Sequence, residues 1–557
     1  MVSVLLVWGY MIVTCYVLGF SVWRTLWRGE GGIFQKESSF IFAGIVAVTV
    51  YAQFFSIFHK VGLAANIGMI LLCAVCVFVY REDLRKRMHR LLLAVSPSKV
   101  VVTVFLLLLF AYGTSIGIIH FDTGLYHAQS IRWIEEYGVV PGLGNLHNRL
   151  AYNSASFCLS AFYSMAFLGG QSYHCCAGFL AFLLALTCAE GFSLKRLKKP
   201  LLSDFARIIG IYYLLTIFDE MISPASDYFM VLGVFYIIIR WLDLLERNEK
   251  SYVPYGFLCV MGVWVVTVKF SGALILLLTI KPVCMLIKEK KGKAIGKFLG
   301  MGLVTAIPFL IRNVILSGWL LYPFTAIDLF SYDFKIPKSV AAYDAKEIQV
   351  WGRELYDVTK YGKPITFWFP NWFMSLSTVN KIFLIMALVS LILLIGLVFY
   401  SFLKKKKELP EFLLVEGTVA ASFLFWLMSA PLIRYGCVYL WMLPVLMCGH
   451  LYLRCAAKQS RYRLYQVALL LFGLYKAFNF SKEVLQTATG DYLIYQQDYE
   501  NFETAAYELN GYTFYYPVSG DRTGYDDFPA SPIKAENIFR GDSIEDGFVD
   551  VIHTDDD

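Results

Sequence analysis

Apolar stretches about twenty residues long recur along most of this chain, and a stretch of that length has one dominant structural solution, a helix crossing a bilayer. VVTVFLLLLFAYG (Val101 to Gly113) and KIFLIMALVSLILLIGLVFYSFL (Lys381 to Leu403) are two of them. Of 557 residues, 58% are hydrophobic and only 16% charged, where a soluble domain is nearer a quarter charged. The expected fold class is an all-α polytopic membrane protein. Composition excludes a soluble enzyme, a disordered chain and a nucleic-acid binder, because a net charge of +7 needs only the basic loops that membrane proteins keep in the cytoplasm.

Those loops set an orientation. Lys/Arg clusters fall at Arg24, Arg28 and Lys36; at Arg81 to Arg90; at Lys195 to Lys199; at Lys288 to Lys293; at Lys404 to Lys407; and at Arg454 to Arg463. Placing all of them in the cytoplasm requires spans near 2–20, 39–58, 61–80, 100–118, 173–192, 204–218, 227–245, 253–269, 271–287, 297–316, 381–403, 411–429, 436–453 and 464–480, about fourteen transmembrane helices in all. The polar-flecked stretch Ala151 to Leu168 is then expected to lie in the interface or dip into it. Residues 1–480 form the transmembrane domain, with external loops at 119–172 and 317–380. Residues 481–557 carry 17 acidic and 4 basic side chains, and are expected to form a small acidic external cap with a strand or two. The twelve cysteines sit mostly in apolar runs and read as packing residues.

The densest chemistry lies in HFDTGLYHAQSIRWIEEYGVVPGLGNLHNRLAYNSASF (His120 to Phe157). After Gly124 the spacing of Tyr126, Ser130, Trp133, Ile134 and Tyr137 predicts a short helix, ended by Gly138 and Pro141 and lying along the outer membrane surface. Asp122 sits at its start, just past a spanning helix. One reading makes it the cap of the short helix; the other makes it a proton acceptor within reach of lipid-borne groups. External basic residues run against the general trend. Lys269 in VTVKFSGA, Arg312 before Asn313, and Arg434 after the Ser429-Ala430-Pro431 break could snorkel to lipid phosphates or bind a phosphate headgroup. Asp219, Glu220 and Asp227 in FDEMISPASDY read equally as helix caps around Pro224 or as contacts to sugar hydroxyls. Trp351, Trp368 and Trp372 fit an interfacial belt better than a sugar platform.

A spanning helix, an acidic residue at its outer end, a surface helix closed by W-x-x-x-x-G and a second juxtamembrane helix together resemble the first external loop of the GT-C glycosyltransferases, of the mannosyltransferase and aminoarabinose-transferase kind. The elements Asp122 to His127 (D-x-G-L-Y-H), Pro141 to Arg149 (P-G-L-x-N-L-H-x-R) and Asn153 to Phe157 (N-S-x-S-F) are similar to a group of bacterial multipass membrane proteins. The resemblance implies a GT-C-like fold in the bacterial cytoplasmic membrane with its active site on the extracytoplasmic side. It implies a polyprenyl-phosphate-linked sugar as donor, a glycan or lipid as acceptor and Asp122 as catalytic base. Lys269, Arg312 and Arg434 would bind the donor phosphate, and His127, His147, Arg149, Asn153, Asp219 and Asp227 would contact the sugars. The chain departs from the usual acidic pair in having a single carboxylate at Asp122. No nucleotide cofactor is needed on that side, and a divalent metal is left open. A polysaccharide polymerase or ligase acting on lipid-linked oligosaccharide, and a transporter or flippase, are the alternatives.

Overall fold

The computed structural model describes residues 1–27, 36–191, 199–404, 409–455, 462–487, 490–535 and 539–550. Of the basic loops, Arg28, Lys195, Arg196, Lys198, Lys405 to Lys407, Lys458 and Arg461 lie outside the described residues.

Among the described residues the regular structure is helical apart from one hairpin and two isolated bridges, and the chain is a multi-pass membrane protein. Ten of the described helical segments are long and apolar enough to cross a membrane. They are α1 (Val2–Leu26), α2 (Glu37–Phe58), α3 (Leu63–Ala94), α4 (Pro97–Ser115), α9 (Ser226–Glu246), the segment Phe270–Lys288 that ends in α11 (Ile280–Lys288), α12 (Gly292–Ser317), α15 (Thr378–Lys404), α16 (Leu409–Met428) and α17 (Ile433–Cys455). Four further expected spans are helical but shorter or more polar: α7 (Cys176–Ala189), α8 (Leu202–Thr216), α10 (Tyr252–Val268) and α18 (Tyr462–Thr487).

The two ends of the bundle differ. At one end Arg24 pairs with Asp83 at 2.7 Å, Arg87 with Glu37 at 2.5 Å, and Lys297 donates to the Leu26 carbonyl at 2.6 Å. These contacts gather the basic loops. The other end carries the long loops and the C-terminal segment.

Two elements of the long loops differ from expectation. The short helix appears as α5 (Ala128–Glu136), led by a π-helical turn over Thr123–His127 and ended at Gly138. Seven of its nine residues are buried, since it is covered by the C-terminal segment instead of lying open on the membrane surface. Residues Ala155–Tyr163 form α6, every residue of which is buried in the main apolar core. The serines that flank it are interior groups too: Ser154 Oγ donates to the Val268 carbonyl at 2.9 Å and Ser164 Oγ to the Ala161 carbonyl at 2.9 Å. Helices α13 (Lys338–Gly352) and α14 (Ile365–Ser375) complete this end.

The C-terminal segment contains β1 (Thr504–Leu509) and β2 (Tyr512–Pro517), an antiparallel pair joined by Asn510-Gly511. Both turn residues have positive φ, 52° and 79°, the backbone that a two-residue hairpin demands and Asn-Gly supplies. The segment then clasps the loop end of the bundle. Thr523 and Gly524 N–H groups both donate to the Gly124 carbonyl at 2.9 Å, Arg132 Nη1 donates to the Tyr525 carbonyl at 2.7 Å, and Gln497 N–H donates to the Ser115 carbonyl at 2.7 Å. The turn that carries Asp122 is thus held from behind by residues four hundred positions further on.

Candidate functional site

Beyond α4 the chain runs extended and is fastened to the turn between α8 and α9. Ile118 N–H donates to the Asp219 carbonyl at 2.6 Å and His120 N–H to Ser223 Oγ at 2.6 Å. Asp122 follows, and its side chain makes no capping bond to the π-helical turn. It accepts a hydrogen bond from Arg434 Nη2 at 2.7 Å. The capping reading of Asp122 is not what this geometry uses.

Arg434 enters from the start of α17, whose helical path is interrupted at Gly436 (φ −153°, ψ 15°). The Trp426 indole occupies the space beside that glycine so closely that a Cβ would come within 2.3 Å of it. The glycine lets Trp426 pack under the first turn and leaves Arg434 projecting toward Asp122. Arg434 also contacts the His120 ring, and its Nε lies 3.7 Å from Asp227 Oδ2. Lys269, in extended conformation at the end of α10, donates to Asp227 Oδ1 and stands 3.7 Å above the Tyr435 ring. Asp122, Arg434, Asp227 and Lys269 form two cations alternating with two carboxylates, with His120 beside them.

Environment fixes the protonation of the loop groups. Burial raises the Asp122 carboxyl, but the positive charges facing it, Arg434 first and then Lys269, outweigh it and hold the group below the ordinary carboxylate range. Asp122 is therefore ionised at neutral pH. His120 is lowered by burial and by Arg434, and His127 is lowered well below the ordinary value by burial, so both rings are neutral there.

Asp122, Arg434 and His120 line a cavity of about 530 Å³, within the ordinary size range of small-molecule sites. Arg149 reaches it from the short 3₁₀ turn Asn148–Ala151, and α13 with the turn after it supplies Glu347, Trp351, Glu354 and Tyr356. Trp368 and Trp372 of α14 are buried, not spread along a belt. Trp372 reaches the cavity wall with its Nε1 donating to the Pro431 carbonyl at 3.1 Å.

Of the residues expected from sequence, Asp122, Asp227, Lys269 and Arg434 come together, and Arg149 lines the cavity onto which Asp122 and Arg434 open. His127 stands directly behind, its Nδ1 3.3 Å from Thr123 Oγ1 and its ring packed on Tyr126 and Phe157. The others have separate surroundings. Arg312, 2% exposed, donates to Ser56 Oγ at 2.5 Å and to Asn153 Oδ1 at 3.4 Å. Asn153 donates in turn to the Phe309 carbonyl at 3.0 Å. His147 Nδ1 accepts from the Arg149 N–H at 3.3 Å as the cap of the 3₁₀ turn, with its ring pushed down to about 3 by burial and by Arg149. Asp219 meets this region through its backbone carbonyl. Sequence reasoning singled out neither His120, Tyr435 nor the acidic residues of α13 as site residues; His120 and Tyr435 each lie within two positions of a residue it did select. Among the described residues, no group of three or more His, Cys, Asp or Glu is arranged to hold a metal ion.

Residues 1–441 match the family model described as Domain of unknown function (DUF8201). The chain belongs to this family. The DUF8201 region holds all four charges of the central cluster and both helices of the Trp-bearing loop, while Asp521, a further lining residue, comes from beyond it. No curated protein and no solved structure matches the chain.

Proposed function

We propose that this protein is a GT-C-type glycosyltransferase of a bacterial cytoplasmic membrane. It would transfer a sugar from a polyprenyl-phosphate-linked donor to a glycan or lipid acceptor on the extracytoplasmic side. The observation that carries the reading is the pairing of Asp122 with Arg434 on the wall of one cavity, at the bundle end away from the gathered basic loops. A carboxylate that stays ionised can take a proton, and a planar guanidinium can bind phosphate oxygens.

In this reading the acceptor hydroxyl gives its proton to Asp122 as its oxygen attacks the anomeric carbon. The bond from that carbon to the phosphate oxygen breaks, and the electron pair leaves with the polyprenyl phosphate. Arg434, with Lys269 behind it, stabilises the charge that develops on the phosphate. Donor binding also tunes the base: as Arg434 turns toward phosphate it leaves Asp122 less neutralised, which raises the proton affinity of the carboxylate at the point of use.

The test is transfer activity of purified protein in proteoliposomes supplied with lipid-linked sugar. Asp122→Asn, inserted and folded like the parent, is expected to lose at least a hundredfold in rate, the low end of what a positioned base contributes. Full activity of that variant ends the proposal.

A further inference from the structure

We infer that the part of the cavity wall built by the end of α13 and the turn after it is a saccharide subsite, and that the acceptor it takes is a hydroxyl-rich glycan. The inference rests on the transferase reading above and narrows its acceptor.

Trp351 and Tyr356 meet edge to face, with centroids 4.9 Å apart and planes at 88°. They are 47% and 60% exposed, so about half of each ring is open. An exposed tryptophan in a membrane protein is ordinarily part of an interfacial belt, but these two rings line a concave space together with Glu347, Glu354 and Asp521. None of the three carboxylates is in an ion pair among the described residues. Ionised carboxylates are acceptors only, each with about four lone-pair directions, so a ligand that satisfies them must bring several O–H or N–H donors. An apolar ring face beside them favours a ligand that also has a flat nonpolar side. A pyranose ring offers both. A phosphate or an anionic lipid headgroup is disfavoured beside Glu354 and Asp521 and belongs with Arg434, while Arg149 lies between, close enough to feel both Glu347 and Asp122, so the cavity's charge runs from basic to acidic in the way a phosphate-linked sugar and a polyol acceptor require.

The turn that presents these side chains is firmly held. Gly352 packs so tightly on Ala430 that an added Cβ would lie 2.8 Å from it. Arg353, 8% exposed, donates to the Met428 carbonyl at 2.7 Å and covers the Trp368 ring at 4.8 Å. Glu354 and Tyr356 both adopt left-handed backbone, with φ of 54° and 51°, which non-glycine residues seldom take. Backbone bonds from Glu354 to Trp351 (3.0 Å) and from Leu355 to Val350 (2.9 Å) close the turn. The subsite is thereby tied to residues 428–431, immediately before Arg434.

The experiment uses the full chain in lipid nanodiscs with 5-fluorotryptophan incorporated, the Trp351 fluorine line being identified by its loss in Trp351→Phe. Two probes are added separately: di- to hexasaccharide fractions from partial acid hydrolysis of the host's envelope polysaccharide, and farnesyl phosphate. The expected result is that a saccharide fraction shifts the Trp351 line and that Glu354→Gln weakens this binding at least tenfold. Farnesyl phosphate affinity should be unchanged by Glu354→Gln and reduced by Arg434→Gln. If no fraction moves the Trp351 line while farnesyl phosphate binds and depends on Arg434, the saccharide subsite is wrong and the transferase reading stands. If farnesyl phosphate does not bind either, both fall.

Discussion

Asp122 and Arg434, 312 positions apart in the chain, are joined by an ion pair of 2.7 Å that is less than one-third exposed at either side chain. The pair makes the carboxylate a persistent anion and leaves its basicity under the control of the arginine. Replacing Arg434 by Gln removes a cation that lowers Asp122, so the carboxyl should titrate at higher pH. In the pH–rate profile the acid limb, where Asp122 loses its role by protonation, should therefore move upward. The same variant should raise the donor KM. An acid limb that stays in place would mean that Asp122 is not the titrating base.

Arg312 tests the opposite outcome. It was expected at the donor phosphate, but it is buried between α12, α2 and the residues before α6, with Ser56 and Asn153 as its partners. Arg312→Ala should act on packing, lowering stability by about 2 kcal/mol, read as a lower Tm in detergent. The donor KM of the folded fraction should be unchanged. A tenfold rise in donor KM at constant Tm would return Arg312 to the phosphate site.

The contrast between these two arginines shows what the sequence discloses. Hydropathy places helices because burial in lipid depends on length and apolarity, both one-dimensional properties, and all fourteen expected stretches coincide with described helices. The Asp122 turn was legible for a similar reason, since glycines and helix-ending residues are local signals. Convergence is not local. Arg312 and Arg434 look alike in the sequence, yet Arg434, at the start of a helix interrupted at Gly436, meets Asp122, while Arg312 meets Ser56 and Asn153. The carboxylates of α13 went unnoticed because an amphipathic loop helix carries such residues on any solvated face. The polar stretch before Gly169 was assigned to the interface because serine looks incompatible with a core, yet Ser154, Ser156 and Ser164 find partners inside the protein on nearby carbonyls and hydroxyls, while Ser160 is buried without one among the described residues.

Within the bundle, Glu416 of α16 accepts from His450 of α17, with 2.6 Å between Oε1 and Nδ1, and is fully buried. Removing one member of a buried pair strands the other, at a cost of about 3–5 kcal/mol. His450→Ala should therefore destabilise the protein far more than Glu416→Gln, which keeps the shape and an acceptor. The double variant Glu416→Leu with His450→Phe should recover much of the loss, and thermal unfolding of the set would check this. Equal losses for all three variants would show that the pair is not energetically coupled.

Glu135 makes docking of the C-terminal segment sensitive to pH. It is buried on α5 and accepts from Tyr525 Oη at 2.5 Å and Ser172 Oγ at 3.1 Å, and burial pushes its carboxyl up to about 7. With the segment docked, Glu135 holds its proton until near pH 7; undocked and hydrated, it releases it near the ordinary 4.5. Between those values the docked state binds more protons, so docking weakens as pH rises and levels off above about 7. The difference is on the order of 3 kcal/mol across that window. Amide exchange in residues 520–530 should accordingly be slower at pH 5 than at pH 8 after correction for the intrinsic rate. Glu135→Gln, neutral throughout, should remove the slope and keep the slow exchange at both values. Because Thr523 and Gly524 hold the carbonyl of Gly124, two residues past Asp122, the same substitution should also steady the Asp122 turn at high pH, and a pH-dependent exchange difference that survives it would place the sensitive group elsewhere.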